Sequence, residues 1–197
     1  MTQGSCERSA SSGFTADVVL FTRHDSVLSV LVVERAKEPY LAALALPGGF
    51  VEEGERTCEA AARELAEETG VVVDRRRLSR LGCYGRPGRD PRGRVVSVAF
   101  HGYVTGAPPP LGGSDARAAW WVPVGDMFAA GLEVAFDHRE IIRDAVVRRF
   151  GWFPPDVEIE ASPGAVRELA IGGGARPGVR RDVPSVCRSV PGSPRRR

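Results

Sequence analysis

Gly49-Phe50-Val51-Glu52-Glu53-Gly54-Glu55-Arg56-Thr57-Cys58-Glu59-Ala60-Ala61-Ala62-Arg63-Glu64-Leu65-Ala66-Glu67-Glu68-Thr69-Gly70-Val71 is the stretch that decides the fold of this 197-residue chain. Its fixed points are Gly49, Glu55, Arg63, Glu64, Glu67, Glu68 and Gly70, spaced G-x5-E-x7-R-E-U-x-E-E-x-G-U, where U is apolar. At typical residue usage of roughly 7%, such a pattern arises by chance about once in 10⁹ windows. The segment from Thr57 to Thr69 is rich in Ala, Glu, Arg and Leu and holds no Gly or Pro. It predicts a helix that starts at Thr57 or just before it and stops at Gly70.

On that helix Glu64 and Glu68 are four apart and Glu64 and Glu67 three apart, so all three carboxylates share a face. Packed acids repel one another unless a cation lies between them. Hard carboxylate oxygens suit Mg²⁺ or Mn²⁺, and Mg²⁺ typically takes one or two carboxylates plus substrate phosphates. Upstream, Leu46-Pro47-Gly48-Gly49 reads as a strand end running into a glycine turn, where the backbone can approach a ligand or metal closely. Arg63 is within reach of Glu67 one turn on, or of Glu55 across the loop. Arg63 and Glu55 read as a structural pair that shapes the loop.

The stretch resembles the Nudix box, with no gap or substitution in the pattern. The resemblance implies an α/β fold, a Nudix-type α/β/α sandwich with a mixed β-sheet. It also implies metal-dependent cleavage of a diphosphate linked to a nucleoside, with Mg²⁺ or Mn²⁺ as cofactor. On that reading Gly49, Glu64, Glu67 and Glu68 hold metal, and Gly49, Glu55, Arg63 and Gly70 shape the box. The water's proton goes to Glu64, Glu67 or Asp115. Asp115 belongs to a later loop, Ser114-Asp115-Ala116-Arg117-Ala118-Ala119-Trp120-Trp121. That loop departs from the family pattern, with Ser114 and Ala118 where acids are common. Leu44 stands where a Trp commonly precedes the glycines.

Outward from the box, Phe14 to Thr22 and Val27 to Glu34 are β-rich runs separated by His24-Asp25-Ser26, a hairpin signal. Leu41 to Leu46 leads into the glycines. Val71 to Val73 and Leu78 to Tyr84 read as short strands, Val95 to Val104 as a long one and Trp120 to Val124 as another. Ala107 to Asp115 reads as a loop. Phe136 to Phe150 carries Ile141, Ile142, Ala145, Val146 and Phe150 on a helical stripe. The expected organisation is a short N-terminal segment (1–13), one domain (14–155) and a basic tail (156–197).

Three features narrow the branch. Gly85 to Gly93 is a loop in which Arg86, Arg89, Arg92 and the following Arg94 cluster, and guanidinium forks suit phosphate. Pro87 lies sixteen positions after Val71. Ala135-Phe136-Asp137-His138 opens the last helix. These resemble ADP-ribose pyrophosphatases, and the last also resembles Nudix-related nicotinate-responsive regulators. The resemblance implies hydrolysis of ADP-ribose to AMP and ribose 5-phosphate, with Arg35, Arg86, Arg89 and Arg92 as substrate-binding candidates. Oxidised nucleoside triphosphates, NADH and dinucleoside polyphosphates are the alternative substrates, and a non-catalytic ADP-ribose-sensing module is the alternative role. Tyr84, Phe50 and Tyr40 are candidates to stack on a base. His138 reads as a ligand contact or as part of an N-cap arrangement with Asp137. His24 and His101 read as structural.

Hydrophobic content of 43% supports a proper core. No run reaches the length of a membrane span. Cys6, Cys58, Cys83 and Cys187 are scattered without ligand spacing, which reads as reduced thiols and a cytoplasmic location. The net charge of +2 hides an asymmetry: residues 161–197 balance at +6, which leaves the remainder at −4. That mildly acidic body is no footprint for specific nucleic-acid binding. The tail holds six Gly and five Pro in thirty-seven positions, a composition unsuited to a packed core. The expected partner is a small nucleoside diphosphate substrate, and a homodimer is what the resembling branch implies.

Overall fold

In the computed structural model residues 13–24, 26–113 and 116–151 are described. Seven strands and two helices run in the order β1 (Gly13–His24), β2 (Val27–Arg35), β3 (Leu44–Ala45), β4 (Gly48–Phe50), α1 (Thr57–Thr69), β5 (Ser79–Tyr84), β6 (Val95–Tyr103), β7 (Ala116–Pro123) and α2 (His138–Phe150). The strands form one mixed sheet in the order β3-β2-β1-β6-β5, with β4 also on β1 and β7 also on β2. Strand β1 pairs with β6 in parallel over its first nine residues, from Gly13 opposite Val95 to Phe21 opposite Tyr103.

Side chains alternate across the sheet and separate two cores. Ala16, Val18 and Leu20 of β1, Leu31 of β2, and Val98 and Phe100 of β6 pack on Ala60, Ala61 and Leu65 of α1. Val19 and Phe21 of β1, Val30 and Val32 of β2, and Ala99 of β6 pack on Ile141, Ile142, Ala145 and Val146 of α2. Two helices on opposite faces of one sheet make the expected α/β/α sandwich.

The two halves of β1 have different antiparallel partners. Phe21 to His24 pair with Val30 to Val27 of β2, whereas Thr15 to Asp17 pair with Phe50 to Gly48 of β4. Beyond Val30 the strands β1 and β2 diverge, and β2 takes up β3 through Val33 with Ala45 and Glu34 with Leu44. Residues 44–50 therefore fill a fork in the sheet, bonded to β2 at one end and to β1 at the other. That fork is where the candidate site forms.

The helix expected from Thr57 to Thr69 has those bounds, and Gly70 closes it in the left-handed region with φ of 67°. Its last carbonyls, Glu68 O and Thr69 O, accept N–H groups of Gly113 and Leu111 at 3.1 and 2.8 Å. The loop of residues 107–113 thus caps the helix end from outside it. Four local readings change. Gly48 and Gly49 lie in strand β4 instead of a turn, because β1 offers them ladder partners. Only Leu44 and Ala45 of the 41–46 run form a strand. Residues 71–73 form none, although Val71 and Val73 are buried. Helix α2 begins at His138, two residues late, because Phe136 takes φ of 54°. The assignments for Asp115, Ser114, the N-terminal segment and the basic tail lie outside the described residues.

Candidate active site

A cavity of about 450 Å³ opens at the fork. Glu64, Glu67 and Glu68 of α1 form one wall, and Arg35, Arg89 and Arg92 another. Strand β4, paired with β1 in the sheet, runs beside the acids, and its glycines allow a close approach. A Cβ on Gly49 would lie 2.3 Å from Glu64 Oε1. A Cβ on Gly48 would lie 2.5 Å from the Ala16 carbonyl oxygen and 2.4 Å from Asp17 Oδ1. At Gly48 the backbone of β1 leaves room for hydrogen alone, whereas at Gly49 any larger group must displace the Glu64 carboxylate.

The acids differ in surroundings. Glu68 is buried, and its Oε2 accepts the Gly48 N–H at 3.0 Å. Burial pushes its proton affinity up to about 8, with Glu64 and Asp17 adding repulsion against the relief from Gly48. Glu64 is also raised by burial, against the pull of Arg63. Glu67 is half exposed, 3.4 Å from Arg63 Nη1. Among the described residues no three acids, histidines or cysteines close a cage on an ion. Glu64 and Glu68 instead present carboxylates whose charged forms burial disfavours, as a cation bound beside them would relieve.

Arg63 organises the loop below the acids. Its Nε and Nη2 each lie 2.9 Å from an oxygen of Glu55, Nη1 lies 2.8 Å from Glu64 Oε1, and Nη2 donates to the Phe50 carbonyl at 3.2 Å. Glu55 in turn accepts the Glu52 N–H at 3.1 Å. The sequence reading left Glu55 and Glu67 as alternative partners. Arg63 reaches both, and its firm contact is with Glu55.

The arginines of the 85–94 loop separate. Arg89 forks onto Asp137, with Nη2 to Oδ1 at 2.6 Å and Nε to Oδ2 at 2.9 Å. Arg92 forks onto the buried Asp90, with Nη2 to Oδ2 at 2.6 Å. Both still line the cavity. Arg86 does not: it is exposed and pairs with Glu140 at 2.7 Å on the outside of α2. Arg94 donates to the Gly85 carbonyl. Among the described residues Arg35 takes no carboxylate. Its Nε donates to the Pro39 carbonyl at 2.7 Å, and burial together with Arg92 holds its pKa below the usual guanidinium range. The guanidinium carbons of Arg35, Arg89 and Arg92 lie 5.0, 5.7 and 5.6 Å from the centre of the Phe136 ring. A ring face among three cations is favourable, and the positive φ of Phe136 is local strain held in place at the site.

The aromatic candidates also divide. Phe50 lines the cavity under Arg92, at 5.2 Å. Tyr84 donates its hydroxyl to Asp144 at 2.8 Å and is absent from the lining. Tyr40 packs edge-on against Phe136 at 4.9 Å. His138 lines the cavity, and its Nδ1 accepts the Leu46 N–H at 2.9 Å. The N-cap arrangement expected of Asp137 and His138 is not formed, because Asp137 makes no side-chain cap and turns to Arg89. His101 is buried, with Nδ1 unpartnered.

Sequence reasoning passed over Asp17, Asp90 and Phe136. Asp17 had a visible signal, a carboxylate inside the apolar run Ala16-Asp17-Val18-Val19-Leu20. A buried charge in a strand needs a reason. Asp17 accepts from the Ser97 and Thr15 hydroxyls and faces the cavity.

A family model described as NUDIX domain matches residues 12–145. The chain belongs to that family. It is 41% identical over 115 residues to an ADP-ribose pyrophosphatase of Methanocaldococcus jannaschii, a match that covers 58% of this chain and 64% of that protein. It is 30% identical over 136 residues to an ADPR responsive transcriptional repressor, NtrR, of Acinetobacter baylyi, covering 68% of this chain and 53% of the repressor. The chain thus spans between half and two thirds of the length of these curated relatives. Among solved structures, the NUDIX domain of Shewanella oneidensis NrtR complexed with ADP ribose superposes with a TM-score of 0.65 at 32% identity. That match covers 74% of this chain and 93% of the domain.

Proposed function

We propose that the protein hydrolyses the diphosphate bridge of ADP-ribose, releasing AMP and ribose 5-phosphate, with Mg²⁺ or Mn²⁺ bound at Glu64, Glu67, Glu68 and the Gly49 backbone. The observation that carries this is the division of one cavity into an acidic wall and a guanidinium wall. A diphosphate needs positive charge on both flanks, and the acids can supply it only by holding cations.

The residues fit such a cation. Glu64 and Glu68 are carboxylates under burial stress, and Gly49 leaves the space beside Glu64 that any side chain would fill. When bound, the metal supplies Lewis acidity and lowers the pKa of the attacking water. Arg63 holds Glu64 in orientation, and Gly48 does the same for Glu68. Arg35, which has no carboxylate partner among the described residues, takes a phosphate oxygen, while Arg89 and Arg92 add field from behind their own acids. Phe50 offers a ring face for stacking. The water's proton passes to one of Glu64, Glu67 and Asp115. The similarity to an ADP-ribose pyrophosphatase, and to a NUDIX domain that holds ADP ribose, supports the choice of substrate.

This reading places the enzyme in the cytoplasm, in keeping with its scattered thiols, as one domain (14–155) with the basic tail beyond. It includes no specific nucleic-acid partner, and light scattering reads whether the chain forms the homodimer its branch implies. A second reading, an ADP-ribose sensor without turnover, is favoured by the match to a repressor. Release of AMP from ADP-ribose with Mg²⁺, compared with an oxidised nucleoside triphosphate and NADH, decides between them. Selective release of AMP that is lost in Glu68→Ala supports the enzyme. Tight binding without release supports the sensor.

A further inference from the structure

His138 is 3% exposed, yet one of its ring nitrogens has no partner among the described residues. Its Nδ1 accepts the Leu46 N–H and so carries no proton. Burial keeps the ring neutral, which puts the proton on Nε2. No acceptor within the described residues meets that N–H. The atom is also not sealed in the core, since His101 Nδ1 alone among the described residues is both sealed and unpartnered. The ring lines the cavity, so Nε2–H opens into it.

Asp17 shows the converse. It is 5% exposed, and the hydroxyls of Ser97 and Thr15 both donate to Oδ2. Among the described residues Oδ1 accepts no hydrogen bond, and it is likewise not sealed. It lies beside Gly48, on the lining of the same cavity. One buried donor without an acceptor and one buried acceptor without a donor therefore face a common space. Each is completed by cavity water or by a ligand group, and a ligand that displaces the water must replace its hydrogen bond. A phosphate would repel the Asp17 carboxylate. A hydroxyl, which donates and accepts at once, satisfies both.

We propose that Asp17 and His138 read a ribose hydroxyl of the substrate, with His138 Nε2–H donating to the hydroxyl oxygen and Asp17 Oδ1 accepting its proton. The inference rests on the functional reading above, and it makes the two residues specificity-determining and not catalytic. The hydroxyl belongs either to the nucleoside ribose or to the ribose beyond the diphosphate. A site built around a hydroxyl rejects the analogue that lacks it, because its own polar groups are then left unpaired.

The test is calorimetric binding of ADP-ribose, ADP and 2′,3′-dideoxy-ADP without divalent cation, to the wild type, His138→Asn, His138→Gln and Asp17→Asn. Asn keeps an acceptor near Nδ1 for the Leu46 N–H but does not reach the Nε2 position. Gln reaches that position with an N–H and loses the acceptor. The wild type is expected to prefer the hydroxyl-bearing ligand by about tenfold or more. That preference falls toward unity in His138→Asn and Asp17→Asn and survives in His138→Gln, whose melting temperature drops. Collapse of the ADP-ribose to ADP ratio assigns the distal ribose, and collapse of the ADP to dideoxy-ADP ratio assigns the nucleoside ribose. Unchanged ratios in both substituted proteins overturn the proposal. Loss of preference in His138→Gln together with its stability also overturns it, because the role would then be structural. A wild type that binds none of the three ligands, with Ca²⁺ added as well as without it, removes the functional reading itself.

Discussion

Arg63 grips Glu55 with two nitrogens, Nε and Nη2, each 2.9 Å from a different carboxylate oxygen. The same guanidinium reaches Glu64 and the Phe50 carbonyl, so it ties the loop after β4 to the acidic wall. The hydrogen bond from Arg63 holds the Glu55 carboxyl below the usual range. Glu55→Gln removes one charge-assisted bond and frees the fork to move. The expected stability cost is about 1 kcal/mol, because both partners retain water contact. The expected loss in kcat/KM is larger, on the order of 10²-fold, because displacing an orienting group by about 1 Å is enough. Steady-state kinetics beside a thermal melt reads the split. A stability loss without a kinetic loss would contradict an orienting role.

Gly49 and Gly48 are neighbours with opposite expectations. A methyl at Gly49 meets only the end of the Glu64 side chain, which can swing away. Gly49→Ala should fold with little change in melting temperature and lose most of its turnover. A methyl at Gly48 meets the Ala16 carbonyl at 2.5 Å, and backbone cannot yield as a side chain can. Gly48→Ala should lose β4 pairing and lower the melting temperature by several degrees. Circular dichroism melts of the two proteins, run beside AMP release, separate these outcomes.

Glu68 sets a pH dependence. Its proton affinity is raised by burial to about 8, well above that of an unfolded Glu. Between the unfolded value and about 8 the folded state therefore holds a proton that the unfolded state has lost. Stability linked to this group is present below that window and falls as pH rises through it. Metal-free wild type should lose melting temperature from about pH 5 to pH 8, and Glu68→Gln should show a smaller loss. Divalent cations compete with the same proton, so their affinity should rise over that interval. An equal pH slope in wild type and Glu68→Gln would dismiss the assignment.

The box and its helix were legible because their signals are local. A run of helix formers, three acids on one face and a closing glycine require no knowledge of distant strands. The sandwich followed from the same stretch through its resemblance. The arginine loop was not legible at the level of single residues. Arg86, Arg89 and Arg92 look alike in sequence, yet Glu140 and Asp137 are brought to the first two by the packing of the loop on the start of α2, while Arg92 turns back to Asp90 of its own loop. The glycine turn became strand β4 because β1, far upstream, changes partner along its length. Asp17 escaped because its role depends on Ser97, eighty residues away.

Arg89 and Arg86 provide the last contrast. Arg89 and Asp137 are 4% and 14% exposed in their side chains and 2.6 Å apart. Arg89→Ala leaves Asp137 charged in a half-closed site next to the first turn of α2. Breaking such a pair costs about 3–5 kcal/mol when it is fully buried, and residual access to water at Asp137 puts the expectation at the lower end of that range. Arg86 is 71% exposed, and its bond to Glu140 contributes about 0–1 kcal/mol. Arg86→Ala should melt within a degree or two of wild type and hydrolyse ADP-ribose at the wild-type rate, although the sequence places it beside Arg89 and Arg92. Denaturant unfolding and kcat/KM for both variants measure this. A large kinetic loss in Arg86→Ala would mean that the loop turns inward when substrate binds, and that the guanidinium wall of the cavity contains one more member.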